Sequence, residues 1–320
     1  MTDPIPGARS LTANDLGIGV AAPAVALQGS SAPDASPLDP EDPQFLEISR
    51  LREQFGGVIL TGPPGTSKSW LAKESAVLLT EGDESRTEFI QFHASYQFED
   101  FMEGFRPKQD GSGFEPREGV FLRLVKRAVD DVENRLHVLV IDELSRADVG
   151  RVFGEALTYV ERSKRNIPFS LPSGDELTIP SNLYIIATMN PLDRGVDDVD
   201  AAFERRFAKI EMLPDSAVLR ERLDANGVPD DLAARLLAWF GKTNGRAKKT
   251  PAASVGHAYF WSVVDEDSLR DVWNYQLRYL IERAFKYDEP TLKEVVGGWN
   301  KIFEGPVAGT DPDDEPDETP

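Results

Sequence analysis

The chain has 320 residues, 40% of them hydrophobic, and carries 35 basic against 55 acidic side chains for a formal charge of −20, with 3 histidines and no cysteine. That length suits one or two domains; the composition excludes disulfides, thiolate metal sites and an imidazole cluster, so any metal that acts here is a hard ion held by oxygen, such as magnesium. An acidic balance argues against a surface that coats DNA unaided. No run approaches the roughly 18 to 20 apolar residues of a membrane span, and the N-terminus lacks a basic stretch leading into an apolar one, which together read as a cytoplasmic protein without a membrane role.

Residues 1–43 are rich in Ala, Pro, Ser and Asp and end in "SAPDASPLDPEDP". They hold too little apolar surface to offset the entropy of ordering, so a disordered, solvating tail is expected there. A nucleotide-binding core is expected over 44–214. Its first signal is "GVILTGPPGTSKSWLAK", residues 57–73. A short apolar β-prone run leads into a glycine-rich turn, and "SWLAKESAVLLTE" comes next with apolar residues at helical spacing. Strand, turn and helix in that order aim backbone N–H groups and a helix N-terminus at an anion.

The backbone from Gly62 through Pro63, Pro64, Gly65, Thr66, Ser67, Lys68, Ser69 and Trp70 is the expected phosphate cradle. Lys68 supplies an ammonium to the β and γ phosphates, and the Ser69 hydroxyl is a magnesium ligand. Ser67 stands where the pattern G-x-x-x-x-G-K-[ST] has its second glycine. A small side chain that points away or makes a hydrogen bond costs about 1 kcal/mol there, so the variant is expected to be tolerated.

Farther along, "RLHVLVIDELSR" carries the β-branched run Val138 to Ile141 closed by Asp142 and Glu143. This reads as a strand buried on both faces that delivers two carboxylates at its C-terminal end, where open α/β sheets place ligands. Asp142 would hold magnesium through its water shell and Glu143 would polarise the attacking water. A third strand, "NLYIIATMN", ends at Asn190, placed to bond that water or the γ-phosphate. Strand and helix patterns alternate from 57 to about 212, which predicts a doubly wound parallel sheet, a P-loop α/β fold. After Pro214 only amphipathic helices remain, so 215–303 reads as a small helical lid domain, and 304–320 as an acidic disordered tail.

These motifs resemble the AAA+ superfamily over roughly 44–290, and within it the branch of McrB-type restriction motors, related to MoxR-type and dynein-related ATPases. "GPPGTSKS" is similar to the family's GPPGTGKT, departing at Ser67. "FHASYQFEDFMEGFRP" and "GFEPREGVFLRLVKRA" are similar to segments of the McrB branch. "IDELSRADVGRVFGEALTYVE" resembles its acidic-strand motif, with Ser145 in place of Asn. "NLYIIATMNPLDRGVDDVDAAFERRF" resembles its sensor segment, with Asn190 as first sensor and Asp193 and Arg194 in the branch signature.

The resemblance implies a ring, expected to be hexameric, with nucleotide at subunit boundaries. Either Arg205 or Arg206 would reach the γ-phosphate of a neighbouring subunit. "VGHAYF", residues 255–260, is similar to the lid motif, where His257 either approaches nucleotide or packs. An insertion around "RPKQDGSGFEP" suggests a hairpin with its tip at Asp110 to Gly113, and "IPFSLPSGDELTIP" a second one turning at Ser173, Gly174 and Asp175.

The implied activity is ATP hydrolysis with Mg2+, GTP being the alternative nucleotide, in a motor acting on DNA beside an McrC-like nuclease partner. Residues 1–43 are too short to be a DNA-recognition module, so targeting would come from elsewhere. The alternative function is a MoxR-like chaperone that remodels a protein complex.

Overall fold

The computed structural model of the chain describes residues 37–108, 110–191, 201–247 and 251–304. Asp193, Arg194 and residues 305–320 of the acidic C-terminal tail lie outside them. Packed structure begins ahead of the expected boundary at 43: Leu38 is buried in the core, and the Asp42 carboxylate caps the helix Pro43–Leu51 by accepting from the Gln44 and Phe45 N–H groups. A single apolar side chain with a sheet-covering helix just beyond it supplies the burial that composition averaged over the segment did not reveal.

The strands in chain order are β1 Gly57–Thr61, β2 Thr87–Gln91, β3 Glu103–Pro107, β4 Phe114–Glu118, β5 His137–Asp142, β6 Pro168–Ser170, β7 Glu176–Thr178, β8 Leu183–Met189 and β9 Ala208–Glu211. Five form the central sheet in the order β2-β5-β8-β1-β9, every pair parallel. The three inner strands are the most continuously apolar. Val58 to Leu60, Val138 to Ile141 and Leu183 to Ala187 are all buried, as strands covered on both faces must be.

One face of the sheet is covered by an aromatic cluster. Phe101 stacks on Phe121 at 4.8 Å and meets Phe153 at 4.6 Å, and Phe153 in turn packs on Phe203 at 5.3 Å. The other face is covered by the helix Lys68–Leu79 through Leu71, Ala72 and Ala76, and by Phe45, Ile48 and Leu51 of the first helix. Buried Tyr184 donates its hydroxyl to the Ile48 carbonyl at 3.2 Å, so its polar end is satisfied inside that layer.

Register decides where the chemistry collects. Ile141 of β5 lies opposite Ala187 of β8, and Thr61 of β1 lies opposite Met189. The groups at or just past these three strand ends, Asp142, Asn190 and the glycine-rich loop, therefore emerge at one edge of the sheet.

The two hairpins form where their turn residues are. β3 and β4 pair antiparallel, and Gly111 and Gly113 at the tip take positive φ of 70° and 134°. β6 and β7 turn through Gly174 at φ 92°, with Leu171 N–H donating to the Asp175 carbonyl at 2.8 Å. The Ser173 N–H donates to the Glu103 carboxylate at 2.9 Å, joining the second turn to the first hairpin.

From Ser216 onward the described chain is helical and has its own core. Its centre is a tryptophan trio: Trp299 stacks on Trp273 at 4.7 Å and meets Trp239 edge-on at 4.8 Å, while the Trp239 indole N–H donates to the Val295 carbonyl at 3.0 Å. The helix Glu266–Val272 runs through one π segment, Trp273–Leu277, into the helix Arg278–Ala284. A π segment shifts the helical register of the turns beyond it and is often found beside functional sites. Trp299 is 2% exposed. Trp299→Ala is expected to destabilise the helical region by about 3–5 kcal/mol, read as a lowered urea midpoint together with loss of the near-ultraviolet dichroism of the trio.

Candidate nucleotide site

The loop between β1 and its helix is built on close approaches. A Cβ on Gly62 would lie 2.2 Å from the Met212 carbonyl oxygen, so only glycine fits there. Gly65 takes φ 75°, and a Cβ on it would press on the Tyr259 ring at 2.9 Å. Thr66 donates its hydroxyl to the Pro63 carbonyl at 2.9 Å, closing the turn. The Lys68 ammonium donates to the carbonyls of Gly62 at 3.0 Å and Pro63 at 2.7 Å, so those two residues shape the loop around the cation.

The strand ends supply the polar groups. Asp142 Oδ1 accepts from Ser69 Oγ at 2.7 Å and from Thr188 Oγ1 at 2.5 Å, and the Glu143 N–H donates to that same Thr188 hydroxyl oxygen at 3.2 Å. Thr188 thus orients both carboxylate-bearing residues, a role that "NLYIIATMN" does not advertise because threonine is an ordinary strand residue. Glu143 sits in the left-handed region at φ 57°, ψ 47°, with Arg146 Nε at 3.2 Å from its carboxylate. A non-glycine residue there stores strain of order 1–3 kcal/mol, and such residues cluster at functional sites.

These groups meet in one cleft of about 520 Å³, lined from Pro64 through Trp70 and by Glu143, Arg146, Thr188 and Asn190, with Ala258, Tyr259, Leu280 and Arg283 reaching in from the helical region. Of the expected cradle, Pro64, Gly65, Thr66, Ser67, Lys68, Ser69 and Trp70 line it directly. Asn190, 9% exposed at the tip of β8, lies with Glu143 on its wall. Arg146, Thr188, Tyr259, Leu280 and Arg283 were not legible as site residues. The last two come after the π segment, and their approach depends on how the helices fold back over the loop.

The donor set fits magnesium. One hydroxyl, Ser69, and one carboxylate, Asp142, share an edge of the cleft, while the described residues hold no group of three or more His, Cys, Asp or Glu able to cage a metal. Magnesium typically takes one or two protein ligands and completes its shell with water and phosphate oxygens.

The segment 255–260 docks on the phosphate loop. The Ala258 N–H donates to the Gly65 carbonyl at 2.9 Å, and a Cβ on Gly256 would lie 2.0 Å from that same oxygen. His257 is 4% exposed and packs rather than lining the cleft: its Nδ1 accepts from the Asp215 N–H at 3.3 Å, and its Nε2 lies 3.1 Å from Ser67 Oγ. Burial pushes the imidazole below its ordinary value, an effect the Asp215 carboxylate partly opposes. Ser67 takes φ 59°, ψ 18°, the left-handed conformation that a glycine adopts without cost, and its side chain turns to His257.

The two candidate arginines part company. Arg206 is 7% exposed with its Nε 3.8 Å from the Glu161 carboxylate, whereas Arg205 is exposed. Neither is among the residues that line the cleft of its own chain.

Two outcomes test this geometry. Thr188→Val keeps the β-branched shape but removes the hydroxyl that orients Asp142 and Glu143, and is expected to lower nucleotide turnover about 10- to 100-fold in steady-state assays. Because His257 is held neutral by burial, the unfolded chain binds more protons than the folded one below about pH 6.5. Stability is therefore expected to fall as pH drops through that value, and His257→Gln to flatten this part of the urea-midpoint profile.

Comparison with known proteins agrees with this geometry. Residues 57–207 match the AAA domain of the dynein-related subfamily. The chain is 32% identical over 253 residues to the type IV methyl-directed restriction enzyme EcoKMcrB subunit of Escherichia coli K12, covering 73% of this chain and 54% of that protein. It is 33% identical over 129 residues to the type II restriction enzyme BsuMI component YdiS of Bacillus subtilis 168, covering 36% of each. The chain thus spans about half of the first relative's length and about a third of the second's. With a parallel P-loop sheet, an acidic strand end facing the loop and these similarities together, residues 57–207 form an AAA ATPase domain, and the chain is similar to the McrB subunit.

Proposed function

We propose that this chain is the motor subunit of a restriction or related defence system, a ring-forming ATPase that uses magnesium and works beside a nuclease subunit. The observation that carries the reading is the single cleft that gathers Lys68, Ser69, Glu143 and Asn190 around the phosphate loop, with Asp142 bonded to Ser69 on its edge. The similarity to components of two restriction enzymes supports the biological setting.

Phosphoryl transfer is mostly positioning and charge stabilisation. The N–H groups of the loop and the helix start at Lys68 would hold the β and γ phosphates, with the Lys68 ammonium adding positive charge. Ser69 and Asp142 are the groups that would hold magnesium, which supplies Lewis-acid stabilisation of the phosphate oxygens. Glu143 would take a proton from the attacking water, and Asn190 would align it. Thr188 would keep both carboxylates in register. Arg283 would bring a second cation to the phosphates from the helical side of the cleft.

Positive charge from outside the chain completes the arrangement. Arg205, exposed and away from its own cleft, would enter the cleft of the next copy in a hexameric ring, while buried Arg206 holds the segment in place through Glu161. ATP is the preferred nucleotide on the family's general usage, with GTP as the rival. DNA is the proposed track, reached through a partner, since the chain's net charge of −20 offers little unaided attraction to phosphate.

The test is steady-state hydrolysis of ATP and GTP with magnesium, recorded across protein concentration and with or without DNA. Glu143→Gln is expected to abolish turnover while retaining nucleotide binding. Arg205→Ala is expected to cost about 10³- to 10⁵-fold in turnover with folding and binding kept. Arg206→Ala should instead lower the thermal midpoint. Turnover that is linear in protein concentration, or an Arg205 variant with wild-type activity, would remove the ring from this reading.

A further inference from the structure

We propose that Ser67 and His257 form a paired contact by which the 255–260 segment grips the phosphate loop and slows nucleotide exit, with Ser67 as a binding residue and His257 as the residue that positions it. The proposal rests on the reading of the cleft as a nucleotide site. It begins from a conflict: Ser67 occupies φ 59°, where a side chain is strained and glycine is not. What the serine gains is visible in its partner. Its Oγ lies 3.1 Å from Nε2 of an imidazole that is 4% exposed.

The proton on that imidazole can be placed. Nδ1 accepts from the Asp215 N–H at 3.3 Å, so in the neutral ring Nε2 carries the hydrogen and donates it to Ser67 Oγ. The serine oxygen then acts as acceptor, and its own hydroxyl hydrogen is left to point elsewhere. Ser67 lines the cleft and His257 does not, so the hydroxyl stands between the imidazole and the space a phosphate would fill.

Asp215 extends the connection. Its carboxylate caps the helix Ser216–Ala225 by accepting from the Ala217 N–H at 2.7 Å, while its backbone N–H serves His257. One imidazole therefore ties the phosphate loop to the start of the first lid helix. The backbone contact from Ala258 to the Gly65 carbonyl would survive a glycine at 67. The side-chain contact would not, and it is specific to the serine this chain carries.

A nucleotide whose phosphates lie against the loop leaves when residues 255–260 lift, and lifting breaks the Ser67 to His257 bond. Loss of one neutral hydrogen bond corresponds to a release rate about 5-fold faster. The measurement is stopped-flow release of a fluorescent ATP analogue with magnesium from the full chain carrying Ser67→Ala, Ser67→Gly, His257→Gln and the Ser67→Ala/His257→Gln pair.

Ser67→Ala and His257→Gln are each expected to speed release about 5-fold, and the double variant no more than either. KM should rise, and Ser67→Gly should behave like Ser67→Ala despite relieving the backbone. Wild-type release from both Ser67 variants, or single effects that multiply in the double, would overturn the proposal and leave Ser67 as a tolerated replacement. If His257→Gln does not fold, the two Ser67 variants decide. Hydrogen exchange of amides 256–260 in the nucleotide-free chain reads the same contact independently: Ser67→Ala should speed it, and unchanged exchange refutes the pairing. A wild-type chain that binds no nucleotide would refute the proposed function, and the exchange experiment would still judge the contact.

Discussion

The parallel register of β1, β5 and β8 is the constraint on which the rest of the site depends. These strands are buried on both faces, so each side chain is committed to one of two cores, and a slip by one residue would exchange the two sets. With register held by that burial, the residues at the strand ends have no choice of position. Asp142 meets Ser69 across 73 positions of sequence, and Thr188 meets Asp142 across 46. The polar site is a consequence of how apolar side chains pack below it.

Strain is placed where that scaffold can hold it. Glu143 and Ser67, both in left-handed backbone, line the cleft from different elements, each anchored by a hydrogen bond or ion pair to a neighbouring group. Glu143 emerges from a strand of the buried sheet, and Ser67 precedes a helix whose face is locked by Leu71 and Ala72. A rigid base lets a residue persist in a conformation that a loop alone would relax. It also holds the cradle and the carboxylates in a fixed relation, so little reorganisation is left for the moment of reaction.

The helical region adds a second layer of control. Gly256 lies so close to the Gly65 carbonyl that it accepts no side chain, which makes the position of 255–260 sensitive to any change in the phosphate loop. The same region brings Tyr259, Leu280 and Arg283 to the cleft. Its core is separate and built on the tryptophan trio.

Much of this was legible in the chain itself. The β-branched runs at 138–141 and 183–187, the glycine-rich turn before an amphipathic helix, and the acidic pair Asp142 and Glu143 at the end of β5 are local patterns, each imposed by burial or by backbone geometry within a few residues. They named the sheet, the loop and the residues Lys68, Ser69, Asp142, Glu143 and Asn190, all of which the structure brings together. The turn glycines likewise placed both hairpins. What the sequence could not settle were contacts between residues far apart in it: which oxygen Thr188 meets, which of Arg205 and Arg206 is buried, where Leu280 and Arg283 lie after the π segment, and which partner the Ser67 hydroxyl finds 190 residues away. Such choices depend on the packing of whole elements, because a polar side chain takes its partner from whatever surface the folded core sets opposite it.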